Sequence, residues 1–97
     1  KNISKRKYIV PTISSFFGIL IKMYFEEHNP PHFHAEYQGY EAVFSIATGE
    51  LTETKKFPIR ATKLIKEWAI EHQAELLENW KRMEQDQTLF KIPGADQ

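Results

Sequence analysis

The 97-residue chain is 41% hydrophobic and 27% charged, with no cysteine and a formal net charge of zero. That length supports one modest core and not two, and the composition is globular rather than disordered. Without cysteine there is neither a disulfide nor a thiolate zinc site, so any metal must rest on His, Asp or Glu.

The charge is unevenly spread: residues 1–66 hold 10 Lys/Arg against 6 Asp/Glu, and residues 67–97 hold 3 against 7. This argues against a uniformly basic nucleic-acid binder and suits self-association into a homo-oligomer through opposite faces. The basic start, Lys1 to Lys7, precedes an apolar run, but Pro11 interrupts early and Lys22 sits inside that run. No small-x-small cleavage site follows, so a signal peptide is not expected. No apolar stretch approaches the length of a membrane span.

Residues 1–10 read as an N-terminal extension to a single domain over 11–93. Gly18 to Phe25 alternates as a strand, with Ile19, Ile21, Met23 and Phe25 on one face. Glu26 to Pro31 is a turn, because consecutive prolines do not sit inside a ladder. His32 to Gln38 is the next strand. Gly39-Tyr40 reads as a two-residue type II′ turn, followed by a strand from Glu41 to Ala47. That turn sets Tyr37 opposite Ala42, Ala35 opposite Phe44, Phe33 opposite Ile46 and His34 opposite Ser45. Face parity in the preceding hairpin sets Tyr24 opposite His34 and Lys22 opposite Glu36.

A second Gly turn at Thr48-Gly49 leads to a weaker strand, about Leu51 to Lys55. After Pro58, a good helix-start residue, Ala61, Leu64, Ile65, Trp68 and Ala69 recur at helical spacing. Leu76, Leu77, Trp80 and Met83 continue the pattern. A break near His72-Gln73 buries both Trp side chains and makes a helical hairpin from about Pro58 to Asp86. Leu89 to Ile92 reads as a short final strand. The expected fold is α+β: an antiparallel sheet of three to four strands with a two-helix hairpin packed on one face. Phe33, Tyr37, Phe44, Ile46, Leu64, Ile65, Trp68, Leu77 and Trp80 are the expected core.

The chemistry concentrates in His28-Asn29-Pro30-Pro31-His32-Phe33-His34-Ala35-Glu36-Tyr37, which holds three of the four histidines. Side chains two apart on a strand share a face, so His32, His34 and Glu36 project together while Phe33, Ala35 and Tyr37 face the core. The polar face then gathers Lys22, Tyr24, His32, His34, Glu36 and Ser45. Three readings use these atoms. His32, His34 and Glu36, with His28 folding over the turn, form a His/acid set for a divalent metal such as zinc or iron. Alternatively His32 and His34 are general acid and base, with Lys22 as anion stabiliser, Glu36 orienting and Tyr24 assisting, a constellation that cleaves RNA without metal. In the plainest reading they shape the turn or bind a partner.

The remaining features are weaker signals. Trp68 and Trp80 at helical spacing are core residues. Lys55, Lys56, Arg60, Lys63 and Lys66 make a basic solvated face, and Glu71, Glu75 and Glu78 an acidic one able to dock a basic partner. His72 is a capping or packing residue at the helix break. An acidic second helix argues against a helix-turn-helix DNA reader.

The words Pro11-Thr12-Ile13-Ser14, Phe17-Gly18-Ile19, Met23-Tyr24 and His28 to Tyr37 resemble a bacterial family, the domain-of-unknown-function family numbered 4160. Gly49-Glu50, Arg60-Ala61, Glu67-Trp68, Glu71-His72, Glu75-Leu76-Leu77 and Asn79-Trp80 extend the resemblance to about residues 11–93. It implies a small cytoplasmic bacterial or archaeal protein whose gene often lies beside another small gene, as in toxin–antitoxin pairs. The expectation is therefore a toxin-like component acting on RNA through the His/His/Glu strand face, partnered by the neighbouring gene's small product. The alternative is a non-enzymatic protein-binding or regulatory module that binds metal.

Overall fold

The computed structural model describes residues 11–52 and 56–97. Four strands, β1 (Thr12–Phe16), β2 (Ile19–Lys22), β3 (His32–Tyr37) and β4 (Tyr40–Ser45), precede two helices, α1 (Ile59–Glu71) and α2 (Gln73–Glu84). The strands form one antiparallel sheet in the order β1-β2-β3-β4, so the chain is an α+β domain.

Two tight turns of the same kind build the outer hairpins. Phe17-Gly18 joins β1 to β2, and Gln38-Gly39 joins β3 to β4, with φ of 51°, 78°, 49° and 85° in that order. Positive φ at both central residues is the requirement of a type I′ turn, whose twist matches the flanking strands. The sequence reading placed the second turn one residue later, at Gly39-Tyr40, as type II′. In the structure Gly39 occupies the second central position and Tyr37 pairs with Tyr40.

The register therefore moves by two residues: Phe33 faces Phe44, Ala35 faces Ala42, His34 faces Val43 and His32 faces Ser45. The hairpin before it shifts in the same way, since Lys22 faces His34 and Leu20 faces Glu36. Both expected registers are thus corrected, but a two-residue shift keeps every side chain on its expected face. Strand β1 was not anticipated. It packs Ile13 and Phe16 into the core, while β2 stops at Lys22, short of the expected Phe25.

Both sheet edges are covered, which blunts their capacity to pair with other chains. On β4, Thr52 N–H donates to the Val43 carbonyl and Ser45 N–H to that of Glu50. Leu51 makes a single bridge to Phe44, and residues 53–55 of the expected strand lie outside the described residues. On β1, Ile92 N–H donates to the Ile13 carbonyl at 2.7 Å, although Leu89 to Ile92 forms no strand.

The C-terminal stretch is instead held by side chains. Buried Asn79 donates to the Phe90 carbonyl and accepts from the Phe90 amide, and Trp68 Nε1 donates to the Pro93 carbonyl. Gly94 fits here because a Cβ would stand 2.6 Å from the Ser15 carbonyl oxygen.

The helices break at His72, as expected, and cover the apolar face of the sheet. Trp68 meets Phe16 at 5.1 Å and Phe33 at 6.0 Å between ring centroids. Phe33, Phe44, Ile46, Ile65, Trp68 and Trp80 are buried, and Tyr37 and Leu64 pack partly buried against them. Leu77 is the exception, at 41% exposed. The inward stripe of α2 runs through Leu76, Asn79, Trp80 and Met83, and Leu77 lies about 100° round the helix from Leu76. Among the described residues no helix is long and apolar enough to cross a membrane.

Candidate metal centre

With β2 ending at Lys22 and β3 starting at His32, the intervening turn brings Glu27 back over the first residues of β3. Its Oε1 accepts hydrogen bonds from His32 Nε2 at 2.7 Å and His34 Nε2 at 2.8 Å. The three ligand atoms lie within 4.8 Å of one another, and this is the group of that kind found among the described residues. The histidine side chains are only 16% and 14% exposed, against 31% for Glu27. Burial alone would raise the Glu27 carboxyl, but the hydrogen bonds from His32 and His34 outweigh it and hold that group below 4.5.

The outer nitrogen of His32 is also engaged. His32 Nδ1 lies 2.8 Å from the Pro30 carbonyl oxygen. A carbonyl only accepts, so that nitrogen carries a proton and Nε2 is the variable one. As an imidazolium, His32 donates through Nε2 to Glu27; as a neutral ring, it offers the Nε2 lone pair to a cation. Metal-binding histidines are commonly held in this way, with the second ring nitrogen donating to a carbonyl or carboxylate. The ring also lies 5.0 Å from that of Trp80 on α2.

His34 is fixed by different neighbours. Tyr24 stacks on it at 4.1 Å with planes 6° apart, and the Tyr24 hydroxyl donates to Glu41 Oε2 at 2.8 Å. The same oxygen lies 3.8 Å from His34 Nδ1. Burial, the bond to Glu41 and the surrounding carboxylates push the Tyr24 phenol up to about 12, so at neutral pH it is a donor and not a phenolate.

The residues expected from the sequence divide into groups. His32 and His34 come together as expected. Glu36 lies one step further along the same face and accepts from Lys22 Nζ at 2.8 Å, so these two pair with each other and stand outside the cluster. His28 is exposed and lines a cleft of about 630 Å³ with Phe25, Glu26, Glu27, Met83, Glu84 and Asp86. Ser45 Oγ accepts from the Thr48 amide. Sequence reasoning missed Glu27 and Glu41. Glu27 precedes His32 by five residues inside a turn, where strand periodicity carries no information.

Two imidazole nitrogens and one carboxylate oxygen make a three-ligand set that leaves coordination positions open, as in catalytic zinc and non-haem iron(II) sites. Bonds of about 2.0–2.2 Å to one ion set tetrahedral ligands roughly 3.3–3.6 Å apart. The Glu27–histidine distances of 2.7 and 2.8 Å therefore need to open by less than one ångström.

The family model described as Domain of unknown function (DUF4160) matches residues 18–81, a span that contains the whole cluster. No curated protein and no solved structure matches the chain.

Proposed function

The chain belongs to the DUF4160 family, and from its own geometry we propose that it binds a divalent cation of the zinc or iron(II) class through Glu27, His32 and His34. The observation that carries this reading is the convergence of both Nε2 atoms on one oxygen of Glu27, with His32 Nδ1 already committed to a carbonyl. Three protein ligands leave room for water or a substrate atom, the arrangement of a working ion rather than a purely structural one.

The same histidines support a metal-free acid–base role on RNA, as a toxin-like component would use, but the surroundings favour a cation. Glu27 and Glu41 lie at the cluster and Glu84 along the adjoining cleft, carboxylates that attract a cation and repel a polyanion. Lys22, the expected anion stabiliser, is already paired with Glu36.

Zinc titration of untagged protein by calorimetry tests the proposal. It predicts saturation at one ion per chain, with affinity falling as pH drops and protons compete for the imidazoles. Absence of saturable binding, together with RNA cleavage that survives a chelator and is lost in His32→Ala, would favour the acid–base reading instead.

A further inference from the structure

We infer that Glu41, held by Tyr24, is the positioning residue that makes His34 a competent metal ligand; this rests on the metal reading above. A histidine that gives its Nε2 lone pair to an ion while remaining neutral must carry its proton on Nδ1, and a buried N–H needs an acceptor. For His32 that acceptor is the Pro30 carbonyl, at 2.8 Å. For His34 the neighbour on the Nδ1 side is Glu41 Oε2, at 3.8 Å.

With Nε2 facing Glu27 at 2.8 Å, a neutral His34 uses its proton there, and Nδ1 then needs no acceptor. When an ion replaces that proton on Nε2, the neutral ring carries its hydrogen on Nδ1, directly toward Glu41. Closing the gap from 3.8 Å to a charge-assisted bond of about 2.7–2.9 Å takes a movement of roughly one ångström by a side chain that is 42% exposed.

Tyr24 keeps that movement aimed. Its hydroxyl grips the same Glu41 oxygen at 2.8 Å while its ring lies flat on His34 at 4.1 Å, so imidazole, phenol and carboxylate form one packed unit. The Tyr24 hydroxyl donates to that Glu41 oxygen, which, having two lone pairs, can accept a second hydrogen from His34. Carboxylate–histidine–metal arrangements of this kind fix the tautomer and raise ligand basicity. The sequence masks it, because Glu41 lies outside the Pro-Pro-His-Phe-His word and meets His34 only diagonally across the β3–β4 ladder.

The test is zinc titration of the full chain as wild type, Glu41→Ala, Glu41→Gln and Tyr24→Phe, with two-bond ¹⁵N–¹H spectra of the imidazoles recorded in the zinc form. Glu41→Ala should weaken zinc about 10-fold to 100-fold, read on protein that is folded at the titration temperature without metal. Glu41→Gln, whose amide oxygen still accepts, should recover part of that loss, and Tyr24→Phe should fall between wild type and Glu41→Ala. In wild type the zinc-bound His34 should show its proton on Nδ1. Equal zinc affinity in wild type and Glu41→Ala overturns this inference while leaving the metal reading intact. A wild-type chain that takes no zinc overturns both.

Discussion

His72, at the N-terminal cap of α2, bonds the carboxylate of Glu75 three residues on, whereas His32 and His34 bond a carboxylate brought to them by a separate turn. The first pair is local: it sits at the helix break, and Glu75 in the first turn complements the helix dipole. The second depends on tertiary structure and places three ligand atoms around one point. A histidine beside a glutamate is therefore not by itself a candidate site; the convergence of a third possible ligand atom, with the outer nitrogen of His32 held by the Pro30 carbonyl, distinguishes the two.

The most forceful way to break this comparison is to remove one histidine from each region. His34→Ala should weaken zinc binding by more than about 100-fold, beyond the cost of losing an outer partner, while His72→Ala leaves the titration unchanged. Equal effects of the two changes would erase the distinction. The structural side can be sharpened further along α2 at Asn79, whose side chain satisfies both backbone groups of Phe90. Asn79→Ala should cost about 1–3 kcal/mol in denaturant unfolding, because it strands the partly buried N–H and carbonyl of Phe90, without changing zinc affinity in the folded protein.

Acid provides a gentler probe. The folded Glu27 carboxyl lies below 4.5, so its contribution to stability is present above that pH and is lost as pH falls through the folded value. Wild type should lose more stability than Glu27→Gln between neutral pH and pH about 3, measured without metal. The smallest effect belongs to His72→Ala, expected to cost roughly 0.5–1 kcal/mol for an ion pair whose Glu75 side is 40% exposed, again read by unfolding.

The same contrast explains how much of the molecule was legible in the sequence. Strand periodicity placed Phe33, Ala35 and Phe44 inward and His32, His34 and Glu36 on the other face, and that survived a two-residue error in both registers because side chains repeat every second residue. The helix break at His72 was visible as well. The turn at Gln38-Gly39 was misplaced because a single glycine fits either central position until φ at its neighbour is known. Strand β1 escaped notice because its two serines dilute the apolar alternation. The identity of the carboxylate was not accessible at all. Glu36 shares the strand face of the histidines, but it meets Lys22 first. Glu27 reaches them only through the path of the connection over residues 23–31, which no local pattern encodes.

Glu27, rather than Glu36, is the carboxylate that the histidines meet. Zinc content should be measured by elemental analysis after dialysis of untagged wild type, Glu27→Ala and Glu36→Ala against zinc-containing and then zinc-free buffer. One ion per chain in wild type and in Glu36→Ala, with little retained by Glu27→Ala, is the predicted result. Retention by Glu27→Ala together with loss in Glu36→Ala, or no retained zinc in wild type, would contradict it.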